Sequence, residues 1–151
     1  MSKKARSEGN RVACLIKSSK SEFYTTDVDV NDNPEDMLVV MESVKKTLGK
    51  MKSAFMLVAG GDNLLIVNAY VPDELKDRLV FEDWLNNSIV NLKKEDENVK
   101  NGDNYMQISF KTDFPFKLKD VVRSNSISYL TKNGFMGDEE SSEEFIGFDD
   151  I

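Results

Sequence analysis

AFMLVAGGDNLLIVNAYV, residues 54–71, is the stretch on which the fold turns. Two β-prone apolar runs, Ala54 to Ala59 and Leu64 to Val71, flank Gly60-Gly61-Asp62-Asn63, a turn signal that predicts a hairpin. Neither run alternates polar with apolar residues, so neither strand has a wet face and both faces of the pair must be covered. Upstream, Asn33 reads as an N-cap, Pro34 as the first helical residue, and Glu35 and Asp36 as its first turn. Met37, Val40, Met41, Val44 and Leu48 then recur at helical spacing until Gly49 closes the helix. Downstream, Pro72 ends the strand, and Phe81, Trp84, Leu85, Ser88, Ile89 and Leu92 form a second helical stripe. Tyr105, Gln107 and Ser109 alternate with Met106, Ile108 and Phe110 as in a half-buried strand, and helical spacing returns after Pro115, through Phe116 to Leu130. Val12 to Ile16 is apolar and β-prone and, with Phe23 to Val28, reads as a strand with an extended continuation; Asn91 to Asn104 reads as an exposed loop. The resulting order, β-α-β-β-α-β-α, predicts an α/β single-domain sandwich with a small mixed sheet covered by helices.

Composition narrows the chemistry. The 151 residues contain 20 Lys+Arg, 27 Asp+Glu, one Cys and no His. Without histidine there is no Ser/His/Asp or Cys/His nucleophile and no Cys/His zinc cluster, and no residue set assembles a nucleophile, a base and an oxyanion site. The expectation is a protein that is not an enzyme and has no catalytic residue, metal or cofactor. Cys14, within the run 12–16, reads as a buried reduced thiol, which points to a reducing compartment. With no apolar leader and no membrane-length apolar run, a soluble cytoplasmic protein is expected. The net charge of -7 is unevenly spread: Asp138, Glu139, Glu140, Glu143, Glu144, Asp149 and Asp150 carry seven negative charges with no cation among them. The division expected is a flexible basic arm at 1–10, a globular domain at 11–133 and a disordered acidic tail at 134–151.

Several motifs dissolve on inspection. Asp27-Val-Asp29-Val-Asn31-Asp32-Asn33 opens like a calcium loop, but its sixth position is Asp32 where the sharp turn needs Gly, and its twelfth is Leu38 where a bidentate Glu belongs. Gly60-Gly61 leads into a strand, whereas a phosphate loop leads into a helix. Asp73, Glu74, Asp77, Glu82 and Asp83 lie among Lys76 and Arg78 on polar helix faces and read as solvated surface. The patch with nucleic-acid character is Lys93, Lys94, Lys100 and Gly102, then Gln107 and Ser109, then Lys111, Lys117, Lys119 and Arg123, where cations and short polar side chains could contact phosphate and ribose. In the tail, Phe145, Ile146, Phe148 and Ile151 among carboxylates read as a segment that orders on a basic, apolar protein partner.

Blocks of the sequence, taken in order, carry a family resemblance. Ser53 to Val58, Val67 to Pro72, Glu82 to Leu85, Gly102-Asp103 and Gln107-Ile108-Ser109 resemble successive segments of the C-terminal domain of alanyl-tRNA synthetases, the C-Ala or DHHA1 type, which is also appended to phosphoesterases of the DHH group. The family's glycine-rich loop is reduced here to Gly102. The resemblance implies a noncatalytic accessory module of translation that binds the outer corner of tRNA, with homodimerisation in some members; the lack of a membrane-length apolar run separately predicts no membrane association.

Overall fold

A computed structural model describes residues 3–30 and 33–135 of the chain. The hairpin forms as its sequence dictates: β2 (Ala54–Gly61) and β3 (Leu64–Tyr70) pair antiparallel with Gly61 opposite Leu64, and Asn63 takes φ 56 in the turn. β1 (Phe23–Asp27) lies parallel to β2, reached through α2 (Pro34–Leu48), while β5 (Tyr105–Lys111) runs antiparallel to β3 and β4 (Glu95–Asn101) antiparallel to β5. The order β1-β2-β3-β5-β4 makes a five-stranded mixed sheet. Helices cover its two faces, so the α/β class holds.

Alternation along β2 explains why its sequence is apolar throughout. Ala54, Met56 and Val58 point into one core with Val67, Phe110, Trp84, Val122 and Leu130, built under α3 (Phe81–Ser88) and α4 (Pro115–Lys132). Phe55, Leu57 and Ala59 point into the other with Ile66, Met37, Val40, Met41 and Val44, built under α1 (Lys3–Ser19) and α2. A small polar network locks the first core. Trp84 Nε1 donates to Ser126 Oγ at 2.9 Å, and Ser126 shares a hydrogen bond with Thr25 Oγ1 at 2.7 Å, tying α3, α4 and β1 together. At the start of α2, Asn33 Oδ1 accepts from the N–H groups of Glu35 (3.0 Å) and Asp36 (3.2 Å), the cap its sequence announces.

Five expectations need correction. Residues 12–16 are helical, part of α1, and residues 3–10 belong to the same helix rather than to a flexible arm. Ala5, Gly9, Val12, Ala13 and Ile16 form its buried stripe against α2, and a Cβ on Gly9 would collide with Ser43 and stand 2.8 Å from the Val40 carbonyl oxygen. Cys14 falls off that stripe and is exposed, so the thiol is no core residue and the compartment inferred from its burial loses its support. The stretch expected as a loop contains β4, whose residues Glu95–Asn101 are all exposed and hold the edge of the sheet through backbone bonds, a charged edge with no apolar signal to read. Finally, β5 is not half-wet: Gln107, Ile108, Ser109 and Phe110 are all buried. The acidic tail, with Phe145, Ile146, Phe148 and Ile151, lies outside the described residues. Among the described residues no helix is long and apolar enough to cross a membrane.

Candidate nucleic-acid interface

Gln107 and Ser109 project from the face of the sheet that α2 shares, but the packing of α2 centres on β2 and β3. Beside the start of α2, over β5 and β4, remains a groove of about 250 Å³ lined by Asn33, Pro34, Glu35, Asn98, Lys100, Gln107 and Ser109. The two strand residues are 2% and 5% exposed. Gln107 is held in place: its Nε2 donates to the Pro34 carbonyl at 3.0 Å and lies 3.4 Å from Asn68 Oδ1. Ser109 is not held: its hydroxyl makes no hydrogen bond among the described residues and opens onto the groove, the buried side-chain polar atom left without a partner among the described residues being Arg123 Nε. Lys100 overhangs the same groove without an ion pair among the described residues.

The groove's electrostatics select against a phosphate on its floor. Pro34 has no N–H, Asn33 consumes the donors of Glu35 and Asp36, and those two residues add negative charge to the first helical turn. What the floor offers is neutral: an amide, a hydroxyl and Asn98, suited to a ribose hydroxyl or a base edge, with Lys100 at the rim for the adjoining phosphate.

A second group of predicted residues collects at the end of the sheet where β5 finishes. Lys111 stands opposite Glu95, beside Lys93 and Lys94, and Lys117 follows in the first turn of α4. Lys111 pairs with Asp96 at 3.1 Å and Lys93 with Glu95 at 3.2 Å, exposed contacts that exchange readily for phosphate. Between these cations Phe114 and Phe116 are 64% and 63% exposed, the two most exposed large apolar side chains among the described residues. Gly102 serves the turn at the other end of β4, where a Cβ would collide with the Tyr105 ring.

Lys119 and Arg123 face another way. They converge on Asp27 at the end of β1, Lys119 Nζ at 3.3 Å and Arg123 at 3.9 Å. Partial burial works against ionisation of this carboxyl, but the hydrogen bond and charge of Lys119, with the charge of Arg123, outweigh it and hold the group below the usual carboxylate range. On the opposite wall Arg11 grips Glu8 (2.9 Å) and the Asp27 carbonyl (3.2 Å), while Lys4 reaches Asp29 (2.8 Å). Of these groups Glu8, Arg11, Asp27, Asp29 and Lys119 line a cleft of about 580 Å³ between α1 and α4, together with Asp62 and Phe116. The ten cationic and polar residues expected as one patch are therefore divided: Lys100, Gln107 and Ser109 share the groove; Lys93, Lys94, Lys111 and Lys117 share the sheet end; Lys119 and Arg123 serve the fold; and Gly102 serves a turn. Asn33, Glu35 and Asn98 escaped sequence reasoning because they reach the groove only through tertiary packing. Phe114 and Phe116 were detectable as aromatics interleaved with lysines in KTDFPFKLK, residues 111–119.

No family model matches the sequence, and no curated protein does. Among solved structures the chain is similar to the C-Ala domain from Aquifex aeolicus alanyl-tRNA synthetase, with a TM-score of 0.47 and 12% identity over 67% of this chain and 90% of that one. It is also similar to CDC45 from Entamoeba histolytica, with a TM-score of 0.50 and 11% identity over 82% of this chain and 28% of that one. The chain thus spans little more than a quarter of the CDC45 protein, and the likeness is one of fold.

Proposed function

We propose that the protein is a noncatalytic RNA-binding module whose groove between the start of α2 and strands β4–β5 receives a ribose or base edge. The observation that carries this reading is Ser109, a residue 5% exposed whose hydroxyl has no partner among the described residues, on a groove floor of neutral donors and acceptors beneath Lys100. The hydroxyl opens onto the groove, where it bonds to water or, in water's place, to a ligand oxygen. The block-by-block sequence resemblance to the alanyl-tRNA synthetase C-terminal domain supports folded RNA of the tRNA kind as the ligand and translation as the setting. Lys93, Lys94, Lys111 and Lys117 supply further phosphate contacts a short distance along β5.

Fluorescence anisotropy of labelled tRNA against the full chain, at two salt concentrations, tests the proposal. Lys100→Glu is expected to weaken binding about tenfold and to reduce the salt dependence by roughly one phosphate contact, with an unchanged circular dichroism spectrum. Absence of RNA binding by the native chain, or identical binding by the variant, overturns it.

A further inference from the structure

The orientation of the Gln107 amide is fixed by its neighbours. The Pro34 carbonyl can only accept a hydrogen bond, so the amide nitrogen must face it, as Nε2 does at 3.0 Å. The second Nε2 hydrogen serves Asn68 Oδ1 at 3.4 Å, and Asn68, fully buried, is itself oriented by donating from Nδ2 to Met41 Sδ at 3.3 Å. Turning the Gln107 amide over would set oxygen against oxygen at both points. Both donor hydrogens of Gln107 are thus committed, and Oε1 is the end left over. Oε1 has no partner among the described residues, yet it is not sealed in, since the buried side-chain polar atom left unpaired there is Arg123 Nε. Gln107, 2% exposed, therefore aims one carbonyl oxygen into the groove.

Such a floor calls for a ligand that donates. Gln107 Oε1 and the Glu35 carboxylate only accept, the Ser109 hydroxyl and Asn98 do both, and Lys100 is the one cation lining the groove among the described residues. A phosphate oxygen has no hydrogen to give to Oε1. Unstacked bases are ordinarily held on an aromatic or guanidinium face, and no such side chain lines the groove among the described residues. The 2′-hydroxyl of ribose needs no stacking face and is both donor and acceptor. It donates to Gln107 Oε1 and accepts from the Ser109 hydroxyl, the next residue on the same face of β5. The phosphate on the adjoining 3′ oxygen is then a partner for Lys100, which stands opposite Gln107 on β4. Resting on the RNA-binding reading above, we infer that this groove reads the ribose 2′-hydroxyl, with Gln107 Oε1 as its fixed acceptor, so that the protein selects RNA over DNA by the sugar.

The test alters the ligand and leaves Gln107 in place. Anisotropy titrations of the full chain use three labelled hairpins of one sequence: RNA, DNA, and RNA with 2′-fluoro in place of every 2′-hydroxyl, which keeps the RNA sugar pucker but has no 2′ hydrogen to donate. RNA is expected to bind about tenfold more tightly than either of the others, as expected when a desolvated acceptor gains a partner. Ser109→Ala, its fold verified by circular dichroism, is expected to cut the preference for RNA over 2′-fluoro RNA to about twofold by weakening the RNA complex alone. A 2′-fluoro RNA bound as tightly as RNA means that shape rather than the hydroxyl is read, and overturns the inference while RNA binding stands. A tenfold preference that survives in Ser109→Ala also overturns it, by placing the hydroxyl at another surface. Absence of binding to all three hairpins overturns the RNA-binding reading and this inference with it.

Discussion

Two buried serines, Ser126 and Ser109, should respond oppositely to loss of their hydroxyls. Ser126 is fully buried, with its oxygen 2.9 Å from Trp84 Nε1 and 2.7 Å from Thr25 Oγ1. In Ser126→Ala the fully buried indole N–H has no water to turn to and bears a desolvation cost of about 1–3 kcal/mol, while half-buried Thr25 can be rehydrated. The expected loss is about 2 kcal/mol, which at a typical dependence of about 2 kcal/mol per molar lowers the urea midpoint by roughly 1 M. Ser109→Ala removes a hydroxyl with no described partner, so its stability should change by less than about 0.5 kcal/mol. Its RNA affinity should fall about fivefold, equivalent to one hydrogen bond of about 1 kcal/mol. Urea denaturation followed by tryptophan fluorescence, paired with anisotropy titration, measures both quantities. If Ser109→Ala is as destabilising as Ser126→Ala, its hydroxyl is a structural partner and the groove argument fails.

Three further outcomes follow from the packing. Asn33→Ala should cost about 1 kcal/mol by thermal melting, since it releases two capped N–H groups, whereas Asn33→Asp should change stability by a few tenths. Gly9→Ala should gain helix propensity of about 1 kcal/mol yet lose about 1–3 kcal/mol to overpacking against Ser43 and Val40; a melting temperature above the native one would refute the close crossing of α1 and α2. Because the Asp27 pKa is depressed in the fold, the stability it contributes is complete above its unfolded value of about 3.9 and disappears as the pH falls through the lower folded value. Carboxyl NMR titration should find Asp27 below that unfolded value and Lys119→Met should raise it; an Asp27 that titrates identically in both chains would remove Lys119 from the fold's electrostatics.

The legible part of the fold was local. The hairpin, the Asn33 cap, the α2 stripe, the Trp84 helix and the Pro115 start were written in turn chemistry, capping residues and periodicity, and each stands where expected. The α1 helix was obscured because the apolar run 12–16 contains Cys14 and Leu15, which face outward, while Ala5 and Gly9, small residues chosen for close approach to α2, carry little hydrophobic signal. β4 was hidden because an exposed edge strand needs no apolar residue, and EDENVKN is paired by backbone alone. At the groove, Lys100, Gln107 and Ser109 were singled out by residue type alone, and their union across two strands follows from the β4–β5 register of Lys100 opposite Gln107. Lys119 and Arg123 stand apart from the groove for a reason invisible in one dimension: both reach Asp27, some 90 residues earlier, and Arg123 also reaches Asp120.

The central claim is that RNA enters the groove above Ser109. The most direct test is anisotropy titration of labelled tRNA with the native chain, Lys100→Glu and Ser109→Ala, at two salt concentrations. The account predicts saturable binding by the native chain, about tenfold weakening with a shallower salt slope in Lys100→Glu, and about fivefold weakening with an unchanged slope in Ser109→Ala. Equal affinity and equal slope in all three chains would contradict it.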